Sequence, residues 1–132
     1  MQAFETQFAL KFRQTDMAGI GYFNEVFNIF HDGYEEWAEK LCGSKSTWFN
    51  NSEWAVPVKK IESEYFLPLM AFEKYALRIS VSSVGTTSFT LQSQILKEQN
   101  VCCEIMSTHV FMNKTTHKSL PIPNDFLVKL KN

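Results

Sequence analysis

Apolar and polar residues change their period twice along the chain. Residues 4–13 alternate, with Phe4, Thr6, Phe8, Leu10 and Phe12 on one face and Glu5, Gln7, Lys11 and Arg13 on the other, which is the pattern of a strand with one buried side. After a loop from Gln14 to Gly21 the spacing lengthens. Phe23, Val26, Phe27, Phe30, Tyr34, Trp37, Ala38 and Leu41 recur at three- and four-residue steps, predicting a helix of about 20 residues with one broad apolar face. Gly43 is its natural stop. Segment 44–54 is polar and aromatic and reads as a short helix or a loop.

From residue 56 to 113 the two-residue period returns. Segment 56–67 is strand-like but carries Pro57 and the Lys59-Lys60 pair, which suits an edge or a bend. Tyr75, Leu77, Ile79 and Val81 alternate, Gly85-Thr86-Thr87 turns the chain, and Phe89, Leu91 and Ile95 resume, so 74–97 reads as a hairpin. Glu98-Gln99-Asn100 is a second turn. The strand after it, 101–112, is apolar on both faces, as expected of a strand in the middle of a sheet or beneath a helix. The tail holds two prolines and then a short amphipathic turn. One strand, one long helix and four antiparallel strands form an α+β chain, and the simplest burial for the helix is a curved sheet wrapped around it.

At 132 residues the chain is long enough for one core, so a single domain spanning 1–132 is expected. Aromatic residues make up 14% of it, more than so small a domain readily buries, and part of that surface is expected to face a partner subunit or an apolar ligand. The net charge is −1 and no basic cluster exceeds Lys59-Lys60, which argues against nucleic acid as a partner. The first residues lack the basic and then apolar run of a signal peptide, and no segment approaches a membrane span. The three cysteines, Cys42, Cys102 and Cys103, have no metal-ligand spacing and read as reduced thiols of a cytoplasmic protein.

Chemistry concentrates in the segment Arg13 to Phe23. Asp16 sits in a loop bearing Gly19 and Gly21 that runs into the helix start, where unpaired N–H groups and the positive end of the helix dipole can hold an oxyanion. An ionised carboxylate there can attack a carbonyl or orient water. A thioester suits so small an apparatus, because a thiol of pKa about 8.5 leaves without strong acid assistance. From spacing alone, Asp16 reads first as a turn or capping residue beside Gly19 and Gly21. His31, His109 and His117 are scattered, as structural histidines are, and no metal set is expected. There is no Gly-x-Ser-x-Gly, P-loop or GxGxxG motif. His31 alone shares the helix flank of Phe27 and could reach a pocket beginning at the helix start.

The run Asp16-Met-Ala-Gly-Ile-Gly-Tyr-Phe-Asn-Glu-Val-Phe27 resembles the active-site stretch of the 4-hydroxybenzoyl-CoA thioesterase family of the hotdog fold. Glu64 to Pro68 with Phe72-Glu73, Val84 to Phe89, and Ile122-Pro123-Asn124-Asp125-Phe126 resemble later motifs of that family in the same order. The resemblance implies a long central helix wrapped by a five-stranded antiparallel sheet, and homodimers or homotetramers with the site at the subunit seam. It implies an acyl-CoA thioesterase with Asp16 as nucleophile or general base and the Phe23 backbone N–H polarising the carbonyl. Gly19, Ile20, Tyr22, Phe27 and His31 would bind substrate, together with Thr86, Thr87 and Ser88 on the hairpin. Relatives acting on aliphatic acyl groups can carry His in place of Phe23, so an aromatic acyl group is expected ahead of a short or medium aliphatic one. The 4-hydroxybenzoyl enzymes have a carboxylate where this chain has His31, so their ring substituent is not the one expected here. The family's hairpin cations for coenzyme A phosphates are replaced by Thr86 and Thr87, which leaves Lys59, Lys60 and Lys118, with Lys97 and Lys114, as phosphate candidates. No cofactor is expected beyond the coenzyme A of the substrate. A carrier-protein thioesterase and a non-catalytic acyl-CoA binder are the alternatives.

Overall fold

The computed structural model describes residues 3–132. Its elements are β1 (Phe4–Ala9), α1 (Glu25–Cys42), α2 (Lys45–Phe49), β2 (Trp54–Ala55), β3 (Val58–Tyr65), β4 (Lys74–Val84), β5 (Ser88–Lys97), β6 (Asn100–Val110), β7 (Met112–Asn113) and α3 (Asn124–Lys131). Five strands form one sheet in the order β1-β4-β5-β6-β3, with every neighbouring pair antiparallel. β2 and β7 pair separately.

The helix buries most of the face its spacing predicts, with Val26, Phe30, Tyr34, Trp37, Ala38 and Leu41 joined by Ile29, whereas Phe27 is half-buried and Phe23, expected on this face, lies ahead of the helix and is exposed. The buried residues meet Leu77, Ile79, Leu91, Ile95 and Ile105 on the inner face of the sheet. Gly33 marks the closest approach, since a Cβ built there would lie 2.2 Å from Leu77 Cδ2. Gly43 ends α1 in the left-handed region at φ 84° and donates its N–H to Glu39 O. The polar and aromatic segment that follows forms α2, capped by Ser44 Oγ accepting from Thr47 N at 3.2 Å. Trp48 of α2 is buried and donates its indole N–H to Tyr34 Oη at 2.8 Å, so much of the aromatic excess packs internally at this end.

Two expectations change. The first strand ends at Ala9, not near Arg13, because a single 3-10 turn follows at Phe12–Gln14 and Gln14 Oε1 accepts from Lys11 N at 2.9 Å. That turn breaks the alternation and leaves the Phe12 ring 70% exposed. The tail forms an eight-residue helix, α3, tied to the C-terminus of α1 by Lys129 Nζ donating to Leu41 O at 3.0 Å. The edge character of 56–67 is confirmed, since β3 ends the sheet, and among the described residues no helix covers it, so Val58, Ile61 and Tyr65 lie exposed on the side continuous with the core.

Gly33→Ala is expected to destabilise the protein by about 1–3 kcal/mol through overpacking against Leu77. In an open helix the same change would stabilise. Urea unfolding measures the sign, and a gain in stability would show that Leu77 yields.

Candidate active site

The loop between β1 and α1 is built as a small ladder. Thr15 and Gly21 bridge, Tyr22 N donates to Gln14 O at 2.8 Å, and Gly21 N donates to Leu69 O at 2.7 Å, pinning the loop to the connection between β3 and β4. Inside it, Asp16 N donates to Ile20 O and Gly19 N to Asp16 O, at 2.8 and 3.0 Å. Gly19 takes φ 78°, a conformation that side-chain-bearing residues avoid. Asp16 Oδ1 accepts from Ala18 N at 2.8 Å and from Ile20 N at 3.3 Å. Among the described residues its other oxygen, Oδ2, accepts no hydrogen bond. The turn-forming role and a chemical role therefore use different oxygens of one exposed carboxylate.

Directly after the loop, α1 begins without a side-chain cap at Asn24. Among the described residues nothing accepts the N–H of Phe23 or Asn24. The Phe23 carbonyl is held instead by the Tyr65 hydroxyl, which accepts in turn from Ser63 Oγ at 3.0 Å. An apolar cavity of about 310 Å³ opens there, lined by Ile20, Gly21, Phe23, Val26, Tyr65 and the run Phe66 to Leu69. Met70 N donates to Tyr75 Oη at 2.8 Å, and Lys97 is paired with Glu73, so this wall is braced from β4 and β5. That pairing holds Glu73 below its ordinary pKa and Lys97 above its own, and it engages one of the lysines considered for phosphate.

The remaining predicted positions lie elsewhere. Phe27 is half-buried on the helix flank. His31 donates through Nδ1 to Glu35 Oε2 at 3.1 Å and lines a second cavity of about 310 Å³ with Tyr34, Trp48, Phe49, Val58 and Met112. Thr86, Thr87 and Ser88 sit at the far end of β4, roughly 30 Å along the strand from Lys74. Their backbone is occupied: Thr86 O accepts from Ile122 N and Thr87 O from Phe111 N, both at 2.9 Å. Lys59 and Lys60 open β3 at the same end, and Lys114 and Lys118 flank the turn after β7. One protomer thus gathers Asp16, Gly19, Ile20, Tyr22 and Phe23, and does not bring the hairpin or those lysines to them. Among the described residues no group of His, Cys, Asp and Glu side chains is arranged to hold a metal, and no helix is long and apolar enough to cross a membrane.

A family model described as the thioesterase-like superfamily matches residues 10–130, nearly the whole chain. The chain belongs to the thioesterase-like superfamily. The protein is accordingly a thioester hydrolase of the hotdog fold. A 1,4-dihydroxy-2-naphthoyl-CoA hydrolase from Microcystis aeruginosa is 28% identical over 109 residues, covering 83% of this chain and 79% of its own. One from Thermosynechococcus vestitus is 25% identical, covering 96% and 87%. Among solved structures, a 1,4-dihydroxy-2-naphthoyl-CoA thioesterase from Synechocystis superposes with a TM-score of 0.89 at 18% identity, covering 99% of this chain and 97% of its own. A gentisyl-coenzyme A thioesterase gives 0.84 at 21% identity, covering 96% and 98%.

Residue-level reading missed Tyr65, Phe66 and Leu69 as cavity walls, although Tyr65 shares the inward parity of Ile61 and Ser63 on β3. It also treated His109 only as a structural residue, and the structure gives that role a consequence. His109 is fully buried, with its ring 4.8 Å from Tyr34 and 5.0 Å from Phe89 and its Nε2 2.8 Å from Ser107 Oγ. Its Nδ1 has no partner among the described residues. Burial first, and the nearby His31 second, push its pKa from 6.5 down to about 4. Above pH 6.5 the folded and unfolded chains are both neutral there. As pH falls from 6.5 toward 4 the unfolded chain takes up a proton that the folded one refuses, and stability is lost. By pH 4 the loss from this residue is about 3 kcal/mol. Urea unfolding at pH 7, 5.5 and 4 is expected to show a shallower decline in His109→Gln than in wild type, and parallel declines would refute this.

Proposed function

We propose that the protein hydrolyses an acyl-CoA thioester bearing an aromatic acyl group. The observation that supports this reading is a loop that holds Asp16 by one carboxylate oxygen and leads directly into Ile20, Gly21 and Phe23, which line an apolar cavity where the Phe23 N–H has no partner among the described residues. The named substrates of its relatives, 1,4-dihydroxy-2-naphthoyl-CoA and gentisyl-CoA, are aromatic acyl-CoA thioesters and support the choice.

In the proposed reaction the thioester oxygen accepts from Phe23 N–H, so negative charge developing on it meets a donor at the positive end of α1. Asp16 Oδ2 either attacks the carbonyl carbon, giving a mixed anhydride that water then cleaves, or takes a proton from a water that attacks directly. Either route consumes one water and yields the carboxylic acid and the free thiol of coenzyme A. Oδ1 stays in the turn and fixes the direction of Oδ2. The aromatic group would lie against Phe23, Val26, Tyr65 and Leu69, with His31 and Phe27 further along the same flank of α1.

The cavity is open on the side of the uncovered edge strand, where Val58, Ile61, Tyr65, Phe66 and Leu67 are exposed. Pairing of two β3 edges would satisfy their free backbone groups, bury this apolar row and close the cavity. A homodimer is therefore the functional unit in this reading. Wild type is expected to sediment as a dimer or a higher oligomer, with Ile61→Lys monomeric and at least tenfold less active. A fully active monomeric wild type would exclude it.

Thiol release from a panel of aryl- and alkyl-CoA thioesters tests the chemistry. Asp16→Asn is expected to lower kcat by at least a hundredfold. Equal rates in the two proteins would remove Asp16 from the mechanism, and preference for alkyl over aryl substrates would remove the aromatic assignment.

A further inference from the structure

On the other side of the Asp16 loop from the β3 edge, two phenylalanines stand out of the surface together. Phe12, in the turn after β1, is 70% exposed and Phe72, ahead of β4, is 75% exposed. Their rings are nearly parallel, 7° apart in plane with centroids 6.4 Å apart. Phe72 takes φ 70°, a left-handed conformation costly for a bulky aromatic residue. The backbone enforces it: Phe72 N donates to Leu10 O at 2.7 Å and Leu10 N to Glu73 O at 3.1 Å. The strain is not repaid by burial, because the ring points into solvent. An exposed aromatic pair held under strain fits a surface made to stack on a flat ring.

We propose that Phe12 and Phe72 form the stacking platform for the adenine ring of coenzyme A. This rests on the acyl-CoA reading above and names where that substrate's nucleotide end lies. Phe12 precedes Asp16 by four residues, at most about 14 Å of chain, an interval that the pantetheine arm can cross. With the acyl group in the cavity toward β3, the arm leaves in the opposite direction, over the Asp16 loop and toward the ring pair. Lys11 and Arg13 flank Phe12, are exposed, and hold no carboxylate among the described residues, so positive charge is at hand for the phosphates. The hairpin and the lysines of β3 and of the β7 turn, at the other end of the protomer, are not required.

Adenosine 3′,5′-bisphosphate, the nucleotide end alone, is the direct probe. Calorimetry is expected to show binding to wild type that weakens about tenfold or more in Phe12→Ala and in Phe72→Gly, the magnitude of a lost base–aromatic stack. In turnover, the kcat/KM advantage of benzoyl-CoA over benzoyl-pantetheine is expected to shrink by a similar factor, through KM. Phe72→Gly is also expected to melt at a higher temperature than wild type, because glycine relieves the positive φ, so weaker binding cannot be ascribed to unfolding. No binding to wild type, or equal binding in both variants, overturns the platform. A change in sedimentation with nucleotide binding intact also overturns it and assigns the patch to contact between copies. If the bisphosphate depends on both rings while wild type hydrolyses none of the aryl- and alkyl-CoA thioesters, the platform stands and the acyl-CoA reading falls.

Discussion

Burial of α1 against the concave face of the sheet positions everything else in this molecule. The contact is dry and close, with Gly33 admitting Leu77 and with Phe30, Tyr34 and Trp37 filling the space between helix and strands. Apolar burial on this scale contributes of order 25 cal/mol for each Å² removed from water, far more than any single polar contact. The helix axis is fixed by that packing, so its N-terminus has one place to be. The Asp16 loop joins β1 to α1 and is laddered onto the β3–β4 connection, so its place is set by the same packing that fixes the helix start.

That dependence explains which parts of the molecule were legible in the chain. Periodicity reports burial, so α1, the β4–β5 hairpin and the edge character of β3 could be read from the spacing of apolar residues. Phe12 could not, because its alternation with Leu10 is broken by a turn that a glutamine side chain stabilises, a contact no period encodes. The Asp16 loop was legible as a loop that feeds directly into α1, because glycines and a lone carboxylate ahead of a helix are a local pattern. Tyr65 was not, since its hydrogen bond to the Phe23 carbonyl joins residues 42 apart in sequence. His31 was placed on the correct flank of α1, yet it borders a second cavity, because helix spacing gives direction and not distance. The hairpin residues were matched by motif, and a motif carries no information on which end of an eleven-residue strand faces the carboxylate.

The distribution of aromatic residues sharpens the same point. Trp37, Trp48, Phe89 and Phe111 pack inside, with Trp48 against Trp37, Phe89 and Phe111. Phe12, Tyr22, Phe23, Tyr65, Phe66 and Phe72 are exposed, and all of them border the Asp16 loop or the strand edge beside it. Exposed rings are costly in water and are seldom clustered without a use. The buried rings stabilise the fold, and these six exposed ones mark two directions away from the Asp16 loop, one toward the uncovered β3 edge and one across the loop, while Phe49 lies exposed beside His31.

The start of α1 shows how stability and chemistry are divided. A side-chain cap at this position would stabilise the helix by roughly 1 kcal/mol. Asn24 does not provide one, although its side chain is of the type that commonly does. The chain is instead held from outside, by the Tyr65 hydroxyl on the Phe23 carbonyl, which fixes the direction of the first turn without consuming a single N–H donor. The Glu25 and Phe27 N–H groups already pair with Tyr22 O and Asn24 O, at 2.9 and 3.2 Å, whereas a brace on the acceptor side leaves the Phe23 and Asn24 N–H groups without a partner among the described residues, at the positive end of α1 where a negative charge is favoured.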